Sequence, residues 1–377
     1  VCGFSGEVRW DGEEADVVAV SRMTSHLKPR GPDDSGVWAN GAVALGHRRL
    51  SIIDPSTHAI QPMVDPELGL VVVFNGCIYN HHELRAELAG QGYRFFSNGD
   101  TEVLLKAYHH WGKGFVDHLH GMFACCIVER DSGRVVLARD RLGVKPLYLG
   151  EMPGGLRFAS TLPALLAGGG IDTTVDPVAA HHYLTLHGII PSPRTIVAGA
   201  RKLPPATVLV IEPDGAQRRT TYWQPPYTRD PARATMSAGD WDEAVLAELR
   251  ASVKRRMVAD VPVGVLLSGG LDSSVNVALL SEAGVPDLQT FSIGFPEAGG
   301  EAGDEFHWSD IVAQRYGTDH HRIPMTAGDL VKAVPGAIQA MAEPMVSHDA
   351  VAFYLLSQAV SEHVKVVQSG QGADEVL

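Results

Sequence analysis

Val265-Leu266-Leu267-Ser268-Gly269-Gly270-Leu271-Asp272-Ser273-Ser274 is the stretch from which the rest of the chain is read. Three apolar residues run into a double glycine, and an apolar-rich run follows at 275–280. That order predicts a buried strand, a tight turn and the start of a helix. The glycines let the backbone turn sharply and approach a ligand closely. The N–H groups of the turn and first helical turn have no partner within the helix, and the helix dipole adds positive character there. Ser268, Ser273 and Ser274 add hydroxyl donors, so the stretch is an anion cradle suited to a phosphate or pyrophosphate. Asp272 is a carboxylate among phosphate donors, and its chemistry suits Mg²⁺ bridging it to phosphate oxygens. An ordinary strand–turn–helix connection capped by Ser and Asp is the plainer alternative for a bare Ser-Gly-Gly.

The full Ser-Gly-Gly-Leu-Asp-Ser-Ser is not a Walker loop, because no Gly-Lys-Ser/Thr follows. It resembles the pyrophosphate loop of the ATP pyrophosphatases, which cleave ATP to AMP and pyrophosphate. Around it, residues 241–260 predict an amphipathic helix, with Trp241, Val245, Leu249 and Val253 recurring every fourth position. Residues 224–240 are rich in Pro, Ala and charge without periodicity and read as a linker. Downstream, strands are expected at 263–267, 289–295, after Thr318 and at 364–368, with a helix at 309–316. The last strand runs into Ser369-Gly370-Gln371-Gly372-Ala373-Asp374-Glu375, a second glycine turn with carboxylates. Strands alternating with helices imply an α/β doubly wound parallel sheet, with ligands at the carboxyl ends of the strands.

The chain has 377 residues, enough for two or three domains. With 45% hydrophobic and 20% charged residues it reads as a soluble globular protein. A net charge of −13 argues against nucleic-acid binding and against docking on an anionic membrane. No apolar run reaches the length of a membrane span. Cys2, Cys77, Cys125 and Cys126 show no CxxC spacing, which implies a reducing cytoplasm. The histidine doublets, such as His81-His82 and His320-His321, do not have zinc-site spacing.

The chain opens Val1-Cys2-Gly3-Phe4-Ser5-Gly6. Cysteines are more often buried structural thiols than nucleophiles. If residue 1 is removed, however, Cys2 carries a thiol and a free α-amine, so that one residue supplies both nucleophile and base. Val1 is read as a non-AUG start translated literally, and N-terminal sequencing of active protein tests its removal. Further on come Arg30-Gly31-Pro32-Asp33, His47-Arg48-Arg49-Leu50-Ser51-Ile52-Ile53-Asp54 and Gln61-Pro62-Met63. Phe74-Asn75-Gly76-Cys77-Ile78-Tyr79-Asn80, Gly99-Asp100-Thr101-Glu102-Val103 and Gly121-Met122-Phe123-Ala124 follow. The series ends with Arg139-Asp140-Arg141-Leu142-Gly143-Val144-Lys145-Pro146-Leu147-Tyr148.

In that order these motifs resemble the N-terminal-nucleophile glutaminase domain of class II glutamine amidotransferases. With the glycine loop downstream, the chain resembles the glutamine-hydrolysing asparagine synthetase family over essentially its whole length. The resemblance implies an α+β glutaminase domain of sheets layered between helices at 2–223, a linker at 224–240 and an ATP-pyrophosphatase-type domain at 241–377. It implies Cys2 as nucleophile and Asn75 with the Gly76 N–H as oxyanion hole, a donor pair suited to that task. Arg49 would meet the glutamine α-carboxylate and Asp100 the α-ammonium, with Ile53 and Cys77 also lining the pocket. Leu266, Leu267, Ser268, Gly269, Gly270, Asp272, Ser273, Ile293, Ser369 and Gly370 would bind ATP. Asp272 and Asp374 would hold Mg²⁺, and ammonia would travel through an internal tunnel. A homodimer is a further expectation.

In this half strands are expected at 43–45, 70–74, 124–129, 135–138, 147–149 and 207–211. Helices are expected at 15–25, 82–91, 102–111 and from Asp176-Pro177 through Leu186. Two departures from the family pattern stand out. Cys77 replaces a Glu after Asn-Gly, and Gln371 replaces the Glu of Ser-Gly-Glu-Gly, which the family associates with the acyl-adenylate. Both wordings resemble a subgroup that amidates N-acetylglutaminylglutamine, so the acceptor is either aspartate or a small acylated dipeptide. Glu343 to Asp349 lies where the family builds its acceptor pocket. The chain stops at Leu377, short of a complete synthetase domain, and reads as truncated. A sugar-phosphate or phosphoribosyl amidotransferase would lack the Ser-Gly-Gly loop, and a β-lactam-forming synthetase would lack Cys2. A non-catalytic glutamine-binding paralogue is the remaining alternative.

Overall fold

The computed structural model describes residues 2–295, 306–345 and 347–374. The chain divides into two units, residues 1–226 with 342–344, and residues 227–341 with 345–377. In the first unit two six-stranded sheets form. One runs in the order Ala200–Lys202, Tyr148–Met152, Gly155–Ala159, Gly3–Arg9, Val43–Arg49, Asp34–Asn40. The other runs Gln217–Thr221, Thr207–Ile211, Val135–Arg139, Gly121–Glu129, Leu70–Ile78, Met63–Asp65. The paired strands within these sheets are antiparallel.

Strand alternation builds the layers, because successive side chains point to opposite faces. Along Leu70–Ile78, Leu70, Val72 and Phe74 enter one core with Leu84, Leu88, Leu104 and Phe115 of the covering helices. Val71 and Val73 enter a second core with Phe4, Leu45 and Phe158 of the other sheet. Helices Val17–His26 and Leu162–Ala167 cover the far side of that sheet through Val20, Met23 and Leu165. The first unit is therefore helix, sheet, sheet, helix, as the expected layering of sheets between helices requires.

The second unit holds a four-stranded parallel sheet in the order Asp319–Pro324, Gln289–Gly294, Val263–Leu266, Val366–Gln368. Chain order reverses at Val263–Leu266, which has its successor on one side and the last described strand on the other. Several element bounds differ from the sequence reading by one to five residues. The helix expected at 241–260 is Ala238–Arg255, because Ser237 and Asp240 form a reciprocal capping box that starts it earlier. The strand at 364–368 is only Val366–Gln368. No described helix is long and apolar enough to cross a membrane.

Candidate active sites

In the first unit, Cys2 precedes the Gly3–Arg9 strand, and its thiol is clamped by one backbone unit. Leu50 N–H donates to Sγ at 3.3 Å, and Sγ–H donates to Leu50 O at 3.6 Å. Arg30 Nε donates to the Cys2 carbonyl at 3.1 Å. Burial raises the thiol's pKa above its ordinary value, and the Leu50 contact opposes that shift. Among the charges acting on the thiol, Asp100 raises its pKa and Arg49 lowers it, so those two pocket residues lie close to it.

Asn75 and Gly76 sit on the Leu70–Ile78 strand. Its neighbour Met63–Asp65 pairs only as far as Val72, leaving the edge from Val73 onward without a strand. Side chains cap that edge instead. Phe74 N–H donates to Gln61 Oε1 at 2.6 Å, Ile78 N–H donates to Asp100 Oδ2 at 3.0 Å, and His47 Nε2 donates to Phe74 O at 3.1 Å. N–H groups alternate sides along a strand, so that of Gly76 shares the side of Phe74 and Ile78. It faces the open edge midway between two capped positions. Gly76 cannot be replaced without displacement, since a Cβ there would lie 2.2 Å from Met122 O. Asn75 is fully buried, and among the described residues neither its Oδ1 nor its Nδ2 has a partner. A buried amide with both ends unsatisfied carries a desolvation cost of roughly 1–3 kcal/mol, which a substrate bond would relieve.

Asp100 opens the helix Asp100–Trp111 and is 6% exposed. Burial pushes its pKa up to about 6, against the bonds from Ile78 and its own helix turn. Cys77 is buried on the same strand, and its thiol's pKa is driven far upward, first by burial and then by Asp100. Arg49 Nη1 donates to Ser56 O at 2.9 Å and Nη2 to Ile53 O at 3.4 Å and to Asp54 O, so its guanidinium shapes the loop that carries Ile53. Asp54 in turn accepts from Asn98 N–H at 2.7 Å, joining that loop to the one before Asp100.

Several residues that matter here do not announce themselves in sequence. Burial lowers the pKa of His47 to about 3, so the ring is neutral. Asp140 accepts from the backbone N–H groups of Phe123, Leu142, Val144 and Lys145, while Arg139 donates to Lys145 O, Leu203 O and Gly143 O. The Arg-Asp motif is therefore a loop wired to itself, and it holds the buried Lys145. Glu343, expected near the acceptor, counts with the first unit and accepts from Tyr148 Oη at 2.7 Å. Val346 and Glu375 lie outside the described residues.

In the second unit the strand Val263–Leu266 leads through Leu267, whose N–H donates to Phe291 O at 2.8 Å. Gly269 has φ +84°, and a Cβ there would lie 2.5 Å from Trp308 Cβ and 2.6 Å from Ser309 N. Only glycine meets both demands. Gly270 caps the helix Leu271–Glu282 without any side-chain bond to the first turn. The cap residue thus offers the first-turn N–H groups no side-chain acceptor. Ser268 and Ser273 hydroxyls lie 3.0 Å from each other, and Ser273 Oγ donates to Gly270 O at 3.2 Å. These two hydroxyls shape the loop, so the backbone is the main outward donor.

Val263 pairs with Val366 and Val265 with Gln368 in parallel, which sets the two glycine loops at the same end of adjacent strands. They touch there, since a Cβ on Gly370 would lie 2.8 Å from Asp272 Cβ and 3.0 Å from Ser273 N. Gln371 N–H donates to Ser369 Oγ at 3.3 Å, and the Gln371 side chain is exposed. Ile293 is half-buried on the Gln289–Gly294 strand, and Asp374 ends the turn after Gln371. The described residues contain no cluster of three or more His, Cys, Asp or Glu that could hold a metal.

A cysteine-led layered unit followed by a parallel sheet with a strand–glycine-loop–helix defines a two-part amidotransferase architecture. Residues 1–223 match the glutamine amidotransferase domain family, and residues 244–377 match the asparagine synthase family. A Mycobacterium bovis relative is 37% identical over 97% of this chain, which spans 57% of that relative. Asparagine synthetase [glutamine-hydrolyzing] 3 of Bacillus subtilis is 32% identical over the whole chain, and asparagine synthetase B [glutamine-hydrolyzing] of Escherichia coli is 33% identical over the whole chain. The chain spans 63% and 64% of their lengths. It belongs to the glutamine-hydrolysing asparagine synthetase family of class II glutamine amidotransferases.

Proposed function

We propose that the protein hydrolyses glutamine at Cys2 and uses the ammonia to amidate a carboxylate in an ATP-driven reaction. The observation that carries the first half is the buried Asn75 amide with no partner, adjoining a Gly76 N–H aimed at an open strand edge. Once Val1 is removed, the free α-amine of Cys2 takes the thiol proton, and the thiolate attacks the glutamine amide carbon. Asn75 Nδ2 and Gly76 N–H receive the oxyanion. The α-ammonium returns the proton to the leaving nitrogen, the C–N bond breaks to give ammonia and a thioester, and water then releases glutamate from that thioester. Arg49 and the Ile53 loop receive the α-carboxylate, and Asp100 with Cys77 lines the α-amino end.

In the second half the first-turn N–H groups of Leu271–Glu282, with Gly269, Gly270, Ser369 and Gly370, take the phosphates of ATP. Leu266, Leu267 and Ile293 flank the base. The uncapped helix start and the close approach of the two loops fit such an anion. Asp272 and Asp374 would hold Mg²⁺, with phosphate oxygens completing its ligand set and the metal neutralising their charge. The acceptor carboxylate oxygen attacks the α-phosphorus and pyrophosphate leaves. Ammonia then attacks the acyl carbon, and AMP leaves with the amide formed. The family membership supports aspartate as acceptor. Gln371, a neutral amide where the family pattern has a carboxylate, favours an N-acylated glutaminyl dipeptide as the second reading. The thiols of Cys2, Cys125 and Cys126 fit a reducing cytoplasm.

The deciding experiment is acceptor-dependent pyrophosphate release from the intact protein with glutamine and ATP·Mg²⁺. Stimulation by aspartate alone assigns asparagine formation, and stimulation by the dipeptide alone assigns the second reading. Glutamine binding without ammonia release would leave a non-catalytic paralogue.

A further inference from the structure

We propose that Gln61 is a positioning residue for glutamine hydrolysis, tying the oxyanion strand to the helix that carries Asp100. The inference rests on the glutaminase reading given above and adds a residue which that reading leaves idle. Gln61 is 7% exposed. Its Oε1 accepts from Phe74 N–H at 2.6 Å, and its Nε2 donates to Thr101 Oγ1 at 3.2 Å. The amide orientation is forced, because a backbone N–H can only donate. Thr101 is itself buried and follows Asp100 directly in the helix. One side chain therefore touches the strand at the oxyanion end and the helix at the α-amino end of the same pocket.

The geometry gives Gln61 leverage. Phe74 and Ile78 are the two capped positions of the free edge, and Gly76 lies between them, about 7 Å from each at the usual rise of a strand. His47 fixes the carbonyl of Phe74, Gln61 fixes its N–H, and Asp100 fixes the N–H of Ile78. Gly121–Glu129 holds the other edge of the strand, and on the free edge these side chains brace the backbone on either side of the Gly76 N–H. A displacement of about 1 Å at such a donor costs on the order of a hundredfold in rate. Thr101 transmits a different property, the placement of the helix start and of Asp100, and so affects substrate binding more than chemistry. If Gln61 were only a plug in the core, no such division would follow.

The test compares Gln61→Leu, which keeps bulk and loses both bonds, with Thr101→Val, which loses only the link to the helix. Wild type and Cys2→Ala are run alongside, with ammonia release measured for each and the rate of Cys2 carbamidomethylation by iodoacetamide measured for the proteins that keep Cys2. Gln61→Leu is expected to lower kcat for glutamine hydrolysis by about tenfold or more, and Thr101→Val to raise KM about three- to tenfold with kcat within about twofold. Carbamidomethylation should stay within about twofold of wild type in both, since alkylation does not use the oxyanion hole. A Gln61→Leu kcat within about twofold of wild type overturns the proposal, as does a kcat loss matched by an equal loss of Cys2 alkylation. If Gln61→Leu does not fold, an unchanged KM in Thr101→Val overturns it and the predicted KM rise without kcat loss upholds it. Absence of glutaminase activity in the wild type would sink the underlying reading and this inference together. Activity lost in Cys2→Ala and kept in Gln61→Leu sinks this inference alone.

Discussion

The two units build their sites from opposite materials. In the first, the working groups are buried side chains held by other buried side chains: Asn75 is fully buried, Asp100 is 6% exposed, and Gln61, His47 and Thr101 brace them from within. In the second, the working groups are backbone N–H groups at an uncapped helix start, where Leu271 is 80% exposed and Ser268 and Gln371 face solvent. The difference follows the chemistry proposed for each site. A covalent attack on an amide needs an oxyanion donor fixed to a fraction of an ångström in a dry site, where electrostatic donors act most strongly. A triphosphate brings its own charge and needs a row of donors and a metal. One site should therefore fail when its packing is disturbed, and the other when its charge or backbone is disturbed.

Gly76→Ala should break the first site most severely. Its Cβ would lie 2.2 Å from Met122 O, so the strand must move. Ammonia release should fall by about 10²–10³-fold, the scale of losing one oxyanion donor, and thermal unfolding should show a loss of about 1–3 kcal/mol. Asp272→Asn should reduce ATP–pyrophosphate exchange by at least about 10–100-fold while leaving glutamine hydrolysis unchanged. If both activities fell together, the contrast between the sites would be wrong.

A subtler test uses pH. With its pKa raised to about 6, Asp100 must lose its proton to receive an ammonium group, so kcat/KM for glutamine should fall as pH drops below about 6. Asp100→Asn should remove that acid limb along with most of the affinity. The stability consequence has the opposite sign. A carboxyl whose pKa is raised on folding favours the fold at low pH, and that contribution is lost as pH rises through about 6. The Asn variant should therefore melt at a higher temperature than wild type above pH 6, and the gap should close toward pH 4. The smallest effect is expected for Ser268→Ala. Its hydroxyl bonds only Ser273 and the Gly270 N–H within the loop, so pyrophosphate exchange should change by no more than about tenfold.

What the sequence revealed tracks how local each feature is. The strand, glycine loop and helix of the second unit were legible because they begin within ten consecutive residues. Cys2, Asn75, Gly76, Arg49 and Asp100 were legible as members of ordered motifs, although their spacing alone would pass for surface polarity. Gln61, His47 and Thr101 stand in the same motifs without a role there, because their contacts arise only when chain segments 13 to 40 residues apart meet. The strand Gly3–Arg9 also escaped notice. Glu7 interrupts its apolar pattern yet is fully buried, and Arg157 Nε donates to it at 2.7 Å. The helix Ala327–Ala340 was hidden by Pro335, which reads as a breaker and is accommodated inside it.

Cys125 and Cys126 are adjacent on the Gly121–Glu129 strand, and alternation sends them into different cores. Cys125 joins the layer under the helices, and Cys126 the layer between the sheets. Both thiols are fully buried, and burial raises the pKa of each, so neither reacts until its own layer opens. The chain thus carries two built-in clocks one residue apart. Pulsed alkylation with peptide mapping would time the loosening of each layer separately and tell whether the sandwich comes apart in one step or peels from one side.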